Sequence, residues 1–99
     1  MDKSLLEVAY KKAASHYDEV QLVVFRELSA AYPEVAFDDV HRAGIRAMEL
    51  HLASLRFAER IWAASIAYEK AEESLISQFS EFPIDVCVQA LKGAYVKAR

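Results

Sequence analysis

Apolar residues recur three and four positions apart along almost the whole chain, and nowhere do they alternate as a half-buried strand requires. In the first third, Leu6, Tyr10, Ala13, Tyr17, Val20, Val24, Leu28 and Ala31 fall on one helical face, with Lys3, Lys11, Asp18 and Arg26 off it. Ser4-Leu-Leu-Glu7 has the form of a capping box at the start. The run Leu22-Val-Val-Phe25 is apolar all round, which predicts burial on more than one side. Pro33 predicts the end, because the residue before a proline is pushed out of the α region. The pattern predicts one first helix of roughly 28 residues.

Asp38 or Asp39 then serves as an N-cap with its carboxylate at the positive helix end. From about residue 38 to Phe79 no proline intervenes, and Ala, Leu, Glu and Arg dominate. The prediction is a central helix of about 40 residues, roughly 60 Å long. Gly44 is its weak point, at a cost of about 1 kcal/mol relative to alanine. It marks either close packing or a short break, and a break near Gly44 or Ala53 would fold the chain back into a monomeric four-helix bundle. Ser80-Glu-Phe-Pro83 is the second stop, with Pro83 suited to the first turn of a last helix. There Ile84, Val88, Leu91 and Tyr95 share a face, Cys87, Ala90 and Ala94 widen it, and Asp85, Lys92 and Lys97 stay wet. The fold class expected is all-α: one domain over residues 1–99, three helices packed as a bundle around a long central one.

Wound at about 100° per residue, the predicted long helix separates into faces. Arg42, Arg46, Glu49, Arg56 and Arg60 fall within about 40° of a common line, with Ala53, Ala67 and Ser74 in the same stripe. One flank carries Leu50, Phe57, Ile61, Ala64, Tyr68, Leu75 and Phe79; the other carries Ile45, Met48, Leu52, Leu55, Trp62 and Ile66. An ordinary surface helix has a single apolar stripe little more than 100° wide. Two shorter helices cannot cover both seams over that length, and an uncovered apolar strip on a small protein marks a partner site. A two-fold homodimer is the commonest closed solution. Leu52, Leu55, Phe57, Ile61, Trp62, Ile66 and Tyr68 are the candidate self-association residues, and which seam faces inward stays open.

Composition sharpens this in few places. The chain has 99 residues, 55% hydrophobic and 27% charged, with two Gly and two Pro, which predicts folding rather than disorder. Net charge is −3, so no global basic field is available to hold a nucleic acid. Asp85 against Lys92, Lys97 and Arg99 gives residues 83–99 a net +2, which complements the dipole of a terminal helix. The single cysteine, Cys87, fits a reducing compartment and reads as a small buried hydrophobe. The opening MDKSLLEVAY lacks an apolar signal core, and the most apolar window, Ile61–Tyr68, is far short of the roughly 20 residues a membrane span needs. A cytoplasmic location off the membrane is expected.

Candidate chemistry is sparse. Arg42, Arg46, Arg56 and Arg60 suit bidentate contacts to carboxylate or phosphate, and are the candidate partner-binding residues. The bland alternative is a solvated face, with Arg46 and Arg56 beside Glu49, and Arg56 and Arg60 beside Glu59. His16-x-x-Glu19 and Asp38-x-x-His41 are each one weak pair, short of a metal site, and His51 reads as a core histidine. No cofactor motif is present: glycine occurs only at positions 44 and 93. The function expected is a non-enzymatic helical protein–protein interaction protein, such as an adaptor, chaperone or inhibitor, acting as a homodimer. The alternatives are a nucleic-acid accessory protein using the arginine stripe and basic tail, and a small enzyme with an arginine-lined pocket between subunits.

Overall fold

The computed structural model describes residues 3–15 and 21–98, with the side chains of all of them except 15 and 21–24. Among the described residues all regular structure is helical: α1 (Lys3–Ser15), α2 (Gln21–Ala31), α3 (Phe37–Trp62), α4 (Tyr68–Gln78) and α5 (Ile84–Ala98). The all-α class is as expected; the three-helix order is not. The single first helix is two, and the long central helix stops at Trp62 and resumes at Tyr68. By its internal contacts the chain divides into two compact units, residues 1–49 and 50–99.

In the first unit α1 and α2 pack on each other. Tyr32 Oη lies 3.4 Å from Ser4 Oγ and donates to the Ser4 carbonyl at 3.5 Å, while Lys12 Nζ pairs with Glu27 Oε2 at 3.2 Å. Those two pairings run in opposite chain directions, so α1 and α2 are antiparallel. Ser4 is the second residue of α1 as described, and its hydroxyl lies beside Tyr32. Leu5, Leu6, Ala9, Ala13, Leu28, Val40, Ala43 and Ala47 are buried. Tyr10 is only half-buried and Ala31 exposed, so the buried face of α1 is shifted toward Leu5 and Ala9. The expected positions of Tyr17, Asp18 and Val20, the His16–Glu19 pair, and the burial of Leu22, Val23 and Val24 lie outside the described residues and side chains.

Gly44 is a point of close packing, not a break. A Cβ there would meet Phe25 Cδ1 at 2.7 Å and Leu28 Cδ1 at 3.6 Å, so the missing side chain lets α2 approach the α3 backbone. The Phe25 ring stacks on His41, with centroids 4.6 Å apart. Asp38 and Asp39 sit in the first turn of α3, where they complement the dipole. The cap itself is Ala36, whose carbonyl accepts from the amides of Asp39 and Val40 at 3.0 and 3.1 Å.

The second unit contains the end of α3 and the paired helices α4 and α5. Leu50, Phe57, Ala58, Ala71, Leu75, Phe79, Phe82, Val86, Cys87, Ala90, Leu91 and Ala94 are buried, along with His51 and Ser54. Ser54 is satisfied by donating to the Leu50 carbonyl at 2.8 Å. Pro83 ends the α4–α5 connection, and its carbonyl accepts from Val86 and Cys87. On α5 the buried face runs through Val86, Cys87, Ala90, Leu91 and Ala94, while Ile84, expected inside, is 64% exposed.

The break between α3 and α4 is a Schellman-type stop. Ala64 takes φ = 60°, the Ala64 amide donates to the Ile61 carbonyl at 3.0 Å, and the Ser65 amide donates to the Arg60 carbonyl at 2.9 Å. Ser65 Oγ adds a second donor to the same carbonyl at 3.1 Å. Glycine is the usual residue at the left-handed position; alanine there costs roughly 1–2 kcal/mol.

Candidate functional site

The two seams of the sequence have different fates. In the second unit, Leu50, Phe57, Leu75 and Phe79 are all at most 8% exposed, so that flank is core. On the other flank Leu52 is 47% exposed and Trp62 45%, with Leu55 half-buried; Ile66, also half-buried, lies past the end of α3 and does not extend that flank. Of the candidate self-association residues, Leu52, Leu55, Trp62 and Ile66 therefore present apolar surface. Ile61 and Tyr68 are half-buried, and Phe57 is consumed inside its own unit.

Trp62 is held, though half-exposed. Its Nε1–H donates to the Tyr95 carbonyl at 2.9 Å, and its ring stacks on Tyr95 with centroids 4.7 Å apart and planes 12° from parallel. Tyr95 stands in the last turn of α5, so its carbonyl lies at the end of the helix, where the indole N–H reaches it. Tyr68, the first residue of α4, meets the same Tyr95 ring edge-on at 5.3 Å. Burial first, then the Glu72 charge and Tyr95, push the Tyr68 phenol above its ordinary pKa. With its polar edge satisfied, Trp62 offers an oriented apolar face. Sequence periodicity put Tyr95 in the core of α5; its clamp on both ends of the break had no sequence signal.

Arg42, Arg56 and Arg60 are exposed and Arg46 is half-buried; only Arg46 is neutralised as expected. Arg46 Nη1 pairs with Glu49 Oε2 at 3.0 Å in the first unit. There Phe37, Asp38, His41, Arg42, Ile45, Arg46 and Glu49 line an open groove of about 560 Å³. Exposed apolar side chains, Phe37 at 65% and Ile45 at 37%, lie among its charges. In the second unit Arg56 and Arg60 are exposed and make no ion pair among the described residues; the expected partnership with Glu59 is not formed. Arg60 instead places its guanidinium carbon 5.6 Å from the Phe57 ring centroid. Arg56, Phe57 and Arg60 join Ala53 and Gln78 around a cavity of about 240 Å³. Because α3 ends at Trp62, Ala67 and Ser74 do not extend the stripe.

Cys87 is buried, its Sγ lies 3.8 Å from the Phe79 carbonyl oxygen, and its thiol is pushed up to about 11 by burial, then by Glu81 and Asp85. It is therefore a protonated, inert thiol at neutral pH. His51 is buried as expected, and burial, followed by the Lys97 charge, lowers its pKa. Among the described residues no three His, Cys, Asp or Glu side chains come together as a metal site would need, and no helix is long and apolar enough to cross a membrane. Set beside known proteins, the chain matches no family model, no curated protein and no solved structure.

Proposed function

We propose that this chain is a non-enzymatic helical interaction protein that works as a homodimer in a reducing compartment and docks another protein, as an adaptor, chaperone or inhibitor does. One observation carries the reading: Leu52 and Trp62 are about half exposed on the flank of α3 that also carries the half-buried Leu55, while the opposite flank is used up by the core. Oriented, partly desolvated Trp is the residue type most enriched at the energetic centre of interfaces. Large apolar side chains grouped on a small surface favour burial against a second copy.

Light scattering at tens of micromolar should give twice the chain mass, and Leu52→Asp should reduce it to one chain mass with the circular dichroism unchanged. Leu52 suits the test because its exposure lets the single chain fold without it. A wild-type chain that stays monomeric at every accessible concentration refutes the dimer.

A second reading has one observation in its favour: Arg42, Arg56 and Arg60 are exposed and without ion pairs among the described residues. On that reading the stripe and the basic tail bind nucleic acid. Phosphate-driven binding weakens steeply with salt, whereas apolar docking does not, so the salt slope of partner binding separates the two.

A further inference from the structure

We propose that the cavity between Arg56 and Arg60 is a recognition pocket for a carboxylate carried on an apolar body, as an acidic side chain beside an apolar neighbour presents it on a protein partner. The inference rests on the interaction-protein reading and names what that partner shows to the second unit.

Three features converge. The guanidiniums of Arg56 and Arg60 are one helical turn apart on α3, both exposed and both without an acidic partner among the described residues. Such a pair offers planar donor forks matched to carboxylate oxygens, which a lysine pair cannot do. Next, the cavity between them is apolar as well as charged. Phe57 and Ala53 line it, Arg60 is held 5.6 Å from the Phe57 ring centroid, and the small Ala53 side chain leaves room. The third feature is size: about 240 Å³ exceeds many times the roughly 30 Å³ that one water occupies in the liquid, enough for a side chain. The Gln78 amide, at the end of α4, borders the cavity with a polar group of fixed reach. A bare inorganic anion would use the guanidiniums and leave Phe57 and Ala53 idle. An apolar carboxylate uses both.

The test is a titration of the full chain, labelled at arginine Nε and followed by NMR, with benzoate, acetate and inorganic phosphate as separate probes. Benzoate should shift the Arg56 and Arg60 signals and the Phe57 ring signals saturably, and should bind more tightly than acetate or phosphate. Arg60→Lys keeps the charge but removes the planar fork, so benzoate should bind about tenfold more weakly. Equal binding of benzoate to Arg60→Lys and wild type overturns the pocket in favour of diffuse charge attraction. Phosphate binding as tightly as benzoate overturns the apolar component, and no saturable shift at either arginine overturns the site. Light scattering on the same samples keeps the two proposals apart. Arg60→Lys leaves Leu52 and Trp62 untouched, so loss of benzoate binding with the dimer intact supports the pocket. A monomeric wild type that still binds benzoate refutes the dimer alone.

Discussion

Helix α3 is bounded by two short connections of opposite character. Before it, Tyr32–Ala36 is announced by chemistry: Pro33 expels Tyr32 from the helix, and the Val35 amide donates to the Tyr32 carbonyl at 3.1 Å across the turn. After it, Ala63–Ala67 contains no glycine or proline, and its residues have no objection to a helix. Yet Ala64 is driven to φ = 60°. The compensation is tertiary. Trp62 and Tyr68, on either side of the stop, both pack on Tyr95, and the indole hydrogen-bonds the Tyr95 carbonyl. One aromatic pair contributes about 0.5–1.5 kcal/mol beyond its buried area. A net hydrogen bond contributes about 1 kcal/mol more. Together they match or exceed the roughly 1–2 kcal/mol of an alanine in the left-handed region. The first connection is a local instruction, and the second is a decision made by distant residues.

Breaking Tyr95 should therefore have the largest effect. Tyr95→Ala removes the ring shared by Trp62 and Tyr68 and should cost about 2–3 kcal/mol in a urea titration, somewhat below a fully buried aromatic. A loss within about 0.5 kcal/mol, the range of ordinary surface changes, would show that the stop needs no help from α5.

Ala64→Gly sharpens the contrast from the other side. It relieves the left-handed strain against a higher unfolded-state entropy, and should raise stability by about 0.5–1 kcal/mol. Any destabilisation contradicts the positive φ. Pro33→Ala, at the locally specified connection, should cost only about 0.5 kcal/mol, since it mainly frees the unfolded chain. A loss as large as that of Tyr95→Ala would erase the distinction between the two connections.

Acid should give the smallest effect, and it should fall on the second unit. The fold holds His51 below its ordinary pKa of 6.5, so the unfolded chain takes up the proton first as pH falls. The stability tied to neutral His51 is complete above about pH 6.5 and is lost as pH drops from there through the lower folded value. Amide protection factors, corrected for the intrinsic pH dependence of exchange, should fall across that window in residues 50–99, and His51→Gln should flatten the dependence. An unchanged pH profile in the variant would remove His51 as the cause.

Much of the candidate surface was legible beforehand. Leu52 and Trp62 sit on one predicted flank and Phe57 on the other, because winding depends only on spacing, which α3 keeps from Phe37 to Trp62. Arg56 and Arg60 were legible as neighbours for the same reason. Their cavity was not, since Gln78 reaches it only because α4 is a separate helix.

By itself, then, the sequence determined that the chain is helical, that α3 begins near Asp38 and α5 near Pro83, and that α3 has two apolar flanks. Periodicity, first-turn carboxylates and proline geometry act within a few residues, so they can be read without a fold. Tertiary structure alone decided that α1 and α2 are two antiparallel helices, that Gly44 serves close packing against Phe25, and that the chain stops at Ala64. Each depends on side chains far away in sequence: Tyr32 with Ser4, Phe25 with Gly44, Tyr95 with Trp62. A helix-favouring segment costs little to interrupt, and contacts worth a few kcal/mol, invisible to local patterning, choose where.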